Sequence, residues 1–208
     1  MLKTKKTNKY KSLVILGSLL ILLSLSVLSY KLIVNSIHQK QEDKGIEDFY
    51  KKEEINKNNP SQTVREEIDT NKQSTINYIA ILKIPKINLE KGLVDKNSKY
   101  NNINYNIMIH NDSNLPDVEG GNVILVSHSG NASISYFKNL DKLTLDDLIY
   151  LDFNSKTYTY KIFNIYDVEK TGELSIKKEL KDSTITLITC RHNTNKQIVI
   201  IGKLIAQY

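Results

Sequence analysis

The run Ser183-Thr-Ile-Thr-Leu-Ile-Thr-Cys190 decides how the rest of the chain is read. Thr184 and Thr186 alternate with Ile185 and Leu187, and Ile188 and Thr189 follow one step out of phase. The stretch is rich in β-branched residues, so it predicts a β-strand that delivers Cys190 at its C-terminal end. Cys190 is the only cysteine of the chain, so stability must come from a packed core and not from a disulfide framework. A thiol at a strand end can be set against a histidine from elsewhere in the fold, as Cys-His nucleophilic catalysis requires. An unpaired cysteine also reads as a buried small hydrophobe or as an intermolecular disulfide partner. Its surroundings have to choose between these.

A free thiol with a pKa of about 8.5 is only a few per cent thiolate at neutral pH, so a nucleophilic cysteine needs a proton acceptor. The chain has four histidines. His128 directly follows Asn122-Val-Ile-Leu-Val-Ser127, an almost wholly apolar run that predicts a central strand, and it opens the loop Ser129-Gly130-Asn131. His110 closes a shorter strand-like run over residues 107–109, and His192 lies two residues beyond Cys190. His38 falls in a charged segment and is set aside. A zinc site built from Cys190, His110, His128 and His192 is the competing idea, but their spacing fits no common zinc pattern.

Residues 13–30 form an uncharged, mostly apolar run that residues 32–34 extend beyond Lys31. As a helix, 18 residues cover about 27 Å, close to the hydrocarbon thickness of a bilayer. Lys3, Lys5, Lys6, Lys9 and Lys11 precede the run, and only Lys31 follows closely. The expected arrangement is a cytoplasmic basic tail over residues 1–12 and a single-pass signal anchor over 13–34, with the remainder extracytoplasmic. A cleaved signal peptide is the rival reading; the length of the run and the lack of a small-x-small cleavage site speak against it. The net charge of +6 owes much to the first eleven residues, so it does not point to nucleic acid. Residues 35–77 mix charges with few periodic apolar positions and predict a solvated, partly helical stalk.

From Tyr78 the composition changes. Strand-like runs occupy residues 78–84, 107–109, 122–127, 148–153, 157–168, 184–189 and 197–205, with a further apolar fragment at 87–89. Residues 111–121, with Pro116 and Gly120-Gly121, are loop chemistry. Tyr136, Phe137, Leu140 and Leu143 recur at helical spacing and predict a short amphipathic turn or two. Many short strands with one or two short helices predict an all-β barrel or sandwich.

Thr186-Leu-Ile-Thr-Cys190 resembles the TLxTC signature of sortases, the membrane-anchored cysteine transpeptidases of Gram-positive bacteria. Asn122-Val-Ile-Leu-Val-Ser-His128 is similar to that family's histidine strand, and 62 residues (190 − 128) separate the two landmarks. Ile81-Leu-Lys-Ile-Pro-Lys-Ile87 looks like the family's first barrel strand, Asn114-Leu-Pro116 like its pre-histidine loop, and Tyr136-Phe-Lys-Asn-Leu140 like the helix after the histidine. The likeness covers residues 78–208. It implies an eight-stranded barrel, preceded here by a transmembrane helix, with Cys190 as nucleophile and His128 as general acid and base. Cys190 would attack a Thr-Gly-type bond in a C-terminal sorting signal of a surface protein, and a peptidoglycan-precursor or pilin amine would resolve the thioacyl enzyme. Thr189 and His110 are expected to contact the substrate. No metal or cofactor is needed for this chemistry. The absence of helical insertions resembles the single-barrel subfamilies with an N-terminal anchor, and a chain that stops at Tyr208 without an apolar tail is expected to serve wall attachment rather than pilus polymerisation.

One position departs from the family pattern. Sortases carry an arginine at the start of the strand after the cysteine, and Gln197 stands there, flanked by Lys196. Glutamine donates from its amide but lacks the charge and the guanidinium fork. Three readings stay open: Gln197 acts as a neutral oxyanion or substrate donor; Lys196 or Arg191 substitutes; or the domain binds sorting signals with weak or no catalysis.

Overall fold

The computed structural model describes residues 5–58, 76–171 and 182–208. The chain divides into two compact units, Met1–Gln41 and Glu42–Tyr208. Helix α1, Lys5–Asn58, supplies all of the described part of the first unit. There its leucines, isoleucines and valines between Leu13 and Ile33 are exposed. The segment is long and apolar enough to cross a membrane. The hydroxyls of Ser18, Ser24, Ser26 and Ser29 donate to carbonyls three or four residues earlier at 2.7–2.9 Å. Hydroxyls satisfied within their own helix suit a medium that offers no water.

The second unit is an eight-stranded sheet curled into a nearly closed barrel. Its strands are β1 Tyr78–Ile84, β2 Leu89–Val94, β3 Met108–Ile109, β4 Asn122–Val126, β5 Leu148–Phe153, β6 Lys156–Glu169, β7 Thr184–Cys190 and β8 Lys196–Gln207. Their order is β2-β1-β5-β6-β8-β7-β4-β3. Every neighbouring pair is antiparallel except β4 and β7, which run parallel. Asn106 Nδ2 donates to the Gly92 carbonyl at 2.9 Å and ties the approach to β3 onto β2. The all-β barrel matches the expected fold class, and the first and fifth strands have the expected bounds.

The apolar run of β7 reflects burial on both faces. Ile185 and Leu187 join the interior core with Leu82, Leu125, Tyr160 and Ile200. Ile188 instead packs with Ile124, Val199 and Ile201 on the outer face. Between β1 and β2, residues Pro85–Ile87 form a 3-10 turn and Asn88 takes a left-handed conformation (φ 51°). The fragment at 87–89 therefore ends a turn, and β2 begins at Leu89, where Glu90 and Lys91 mask its apolar alternation. Over residues 135–143 the amphipathic segment is a chain of turns with a 3-10 turn at Leu140–Lys142, and it buries Phe137 and Leu140 completely.

The segment expected to be a solvated stalk is helical to Asn58, and one face of it is packed. Ile46, Phe49 and Tyr50 meet Tyr78, Ile81 and Val94 on the outer side of β1 and β2. Tyr50 Oη donates to Asp152 Oδ2 at 2.6 Å, and Lys83 Nζ lies 2.8 Å from the same oxygen. A side chain at Gly45 or at Gly92 would run into the Tyr78 ring, which lies between them. Residues 59–75 of the expected stalk lie outside the described residues.

Candidate active site

The parallel pairing of β4 with β7 is what sets the site. Asn122 is opposite Thr184, and each later pair up to Val126 and Ile188 keeps the same offset of 62 residues (188 − 126). The alignment continues past the last paired residues, since Ser127 N donates to the Ile188 carbonyl at 3.3 Å and Thr189 Oγ1 to the Ser127 carbonyl at 2.7 Å. His128 thus leaves β4 level with Cys190 at the end of β7, one strand spacing of about 4.8 Å away. Both are half-buried.

Across the other edge of β7, Cys190 is opposite Gln197 of β8, and Gln197 is opposite Val168 of β6. Directly opposed residues present their side chains on one face, so Cys190, Gln197 and Val168 form a row. Ile188, two residues before Cys190, points the same way and belongs to the outer apolar patch with Ile124, Val126, Tyr166, Val168, Val199 and Ile201. The register therefore places Cys190, Gln197 and His128 on neighbouring strands at the end of an apolar floor.

The Sortase domain family model matches residues 82–205, more than half of the chain. The chain belongs to the sortase family. It is 27% identical over 191 residues to sortase A of Staphylococcus aureus (strain NCTC 8325 / PS 47), covering 89% of this chain and 88% of that one. Among solved structures, sortase C of Streptococcus pneumoniae superposes with a TM-score of 0.55 at 22% identity, over 62% of this chain and 67% of that one. Listeria monocytogenes sortase A gives 0.51 at 24% identity, over 62% and 88%. These likenesses establish the barrel as a sortase fold.

In this sortase the two cations near Cys190 lie on the other side of the sheet from it. Arg191 N donates to the Lys196 carbonyl at 2.8 Å, which continues the β7–β8 register by one pair. Arg191 and Lys196 thus share the face opposite to Cys190 and Gln197. Each has an acidic neighbour on β6. Arg191 Nε donates to Asp167 Oδ1 at 2.8 Å, and Lys196 Nζ stands 4.0 Å from Glu169. The connecting loop turns through Asn193, which is left-handed (φ 55°), and leaves His192 exposed. Of the candidate donors, Gln197 alone is on the side of the thiol.

Thr189 lies on the opposite face of β7 from Cys190, and His110 lies farther back along β4. Thr189 is 3% exposed, faces the barrel interior and spends its hydroxyl on the Ser127 carbonyl. It clasps β7 to β4 just before the two chemical residues. His110 N donates to the Ile124 carbonyl at 2.9 Å, which sets it four residues back from His128 along β4, roughly 13 Å away. Its Nδ1 accepts from Asp112 N at 3.2 Å. His110, His192 and Cys190 are not gathered together, and no His, Cys, Asp or Glu cluster among the described residues could hold a metal ion.

Two supports had not been singled out in the sequence. Phe137 N donates to the His128 carbonyl at 3.1 Å and closes the loop that follows the histidine. Asp167 and Glu169 are the second support, pairing with Arg191 and Lys196 on the face that period-two alternation from Cys190 predicts for Arg191. Residues 172–181, between β6 and β7, lie outside the described residues.

Proposed function

We propose that this sortase is a cysteine transpeptidase anchored by residues 13–34, with its N-terminus in the cytoplasm and its barrel outside. Cys190 Sγ attacks the carbonyl carbon of a Thr-Gly-type bond in a surface-protein sorting signal. The carbon–sulfur bond forms, the carbon–nitrogen bond breaks, and His128 gives its proton to the leaving amine. An incoming amine, from a cell-wall precursor or a pilin lysine, then attacks the thioester. It loses a proton to His128, and the thiolate of Cys190 departs. Gln197 donates an amide N–H to the oxygen that gains charge in both steps. The observation that carries this reading is the unbroken 62-residue register between β4 and β7, which brings His128 level with Cys190.

The test uses the full chain in lipid nanodiscs, a library of sorting-signal peptides and a panel of amines, with transfer products read by mass spectrometry. A thiol-directed peptide warhead should label Cys190 rapidly in the native protein and slowly in His128→Ala. An inert thiol, or equal labelling in both proteins, overturns the enzyme reading. The second reading, a domain that binds sorting signals with weak catalysis, rests on Gln197. It gains if no peptide is turned over until Gln197→Arg is introduced.

A further inference from the structure

Lys91 is a lysine on the wrong side of a barrel wall. It is opposite Leu82 in the β1–β2 pairing and shares the interior-facing parity of Leu93, whereas its neighbour Gly92 belongs to the face under the helix. Lys91 is only 5% exposed. Burial pushes an ammonium there down, to about 7, so the charge needs partners to persist. Two groups meet it. The Glu42 carboxylate reaches Lys91 Nζ from helix α1, and the face of the Tyr136 ring lies 4.2 Å from it.

Tyr136 leads from this cluster to the chemistry. It precedes Phe137, whose N–H donates to the His128 carbonyl, and its own hydroxyl lies 3.4 Å from the Tyr105 carbonyl. Residues 129–136 thus form a loop with His128 at one end and the Lys91-bound ring at the other. Phe137 and Leu140, the next apolar anchors, are fully buried. The loop is held from below by core packing and at Tyr136 by Lys91 and by the hydroxyl's reach to the Tyr105 carbonyl.

We propose that Lys91 is a positioning residue: seated between Glu42 of α1 and the Tyr136 ring, it fixes the loop that carries His128 and so sets where the imidazole stands beside Cys190. The proposal rests on the transpeptidase reading for its catalytic consequence, but not for its structural one. A cation buried against an aromatic face is held far more firmly than an exposed one, because water cannot replace the ring. The seat also joins the loop to the helix that continues from the apolar segment. A lysine needed only for helix docking would leave the loop's own dynamics untouched.

Hydrogen exchange on the full chain in nanodiscs separates the two roles. Lys91→Met keeps the unbranched stem, one atom shorter, without its charge, Tyr136→Leu removes the ring, and Lys91→Arg preserves a cation for both partners. Exchange in peptides covering residues 129–143 should speed up about tenfold in Lys91→Met and in Tyr136→Leu, the scale of a desolvated cation–ring contact. Peptides covering 148–169 should stay unchanged in both, and Lys91→Arg should match the native chain in every peptide. Turnover by the first two variants should fall in kcat by a similar factor while KM holds. Unchanged exchange over 129–143 in Tyr136→Leu, or a uniform rise over both regions in both variants, overturns the proposal. A native chain that turns over no peptide counts against the transpeptidase reading alone, since exchange still decides the role of Lys91.

Discussion

Replacing Gln197 by alanine tests the donor proposed for this sortase. Gln197 is the cross-strand partner of Cys190, which puts their Cβ atoms about 5 Å apart on one face. Deleting an oxyanion donor from a closed site typically costs about 2.7–4 kcal/mol. Here the donor is neutral and half-exposed, so water replaces part of what is lost, and roughly 1.5–2.5 kcal/mol is expected, or about 10- to 70-fold in kcat. Gln197→Arg should move the other way by about tenfold in kcat/KM, since charge-assisted hydrogen bonds are roughly twice as strong as neutral ones. The controls follow from alternation along the hairpin. Lys196→Ala and Arg191→Ala sit on the far face, beside Glu169 and Asp167, and each should change kcat by no more than about the threefold that an exposed ion pair is worth. Steady-state transfer of the best library peptide to an amine, followed by mass spectrometry with thermal melts of each variant alongside, measures all four. A larger cost in Lys196→Ala than in Gln197→Ala, or a silent Gln197→Ala, refutes the donor role of Gln197.

Thr189→Val keeps the shape of the buried clasp but leaves the Ser127 carbonyl without its 2.7 Å donor, so about 1–3 kcal/mol of stability should go; an unaltered melting temperature would remove the clasp from the account. Gly92→Ala would set a methyl 2.3 Å from the Tyr78 ring, which Gly45 backs on its other side, and overpacking of about 1–3 kcal/mol should appear in urea melts. Gly130→Ala, whose Cβ would meet only Ser135 Oγ at 3.5 Å, is the near-neutral comparison. Burial acts to raise the Asp152 carboxyl, but hydrogen bonds from Lys83, Tyr50 and Thr157 outweigh it and hold the group below its ordinary value. A carboxyl depressed in the folded state adds stability that is complete above its unfolded pKa of about 3.9 and fades as pH falls through the folded value. Urea melts at pH 6 and pH 2.5 should therefore differ less in Asp152→Asn than in the native chain, and an equal acid loss in both would exclude this cluster as the cause.

Much of this protein is written in short-range pattern. β-Branched alternation, loop chemistry and apolar runs mark most of the strands, and the apolar segment after a lysine-rich start marks a helix apolar enough to cross a membrane, because each signal depends on neighbours a few residues away. The strand-end positions of Cys190 and His128 were legible for the same reason, each following a recognisable strand. Register is a different kind of information. Whether β4 and β7 run side by side, and with what offset, depends on contacts between residues some 60 positions apart, and a one-residue slip would turn every side chain to the other face. Only the folded barrel decided that Gln197 shares the face of Cys190 while Lys196 does not, and that the Thr189 hydroxyl is spent on the Ser127 carbonyl. The packing of residues 42–53 was hidden in a charge-mixed sequence, since Gly45, Phe49 and Tyr50 form a face only once Tyr78 and Gly92 supply the surface to receive it. Lys91 is the extreme case: in sequence it is one more surface lysine, and the fold makes it a buried charge between a helix and the loop of His128.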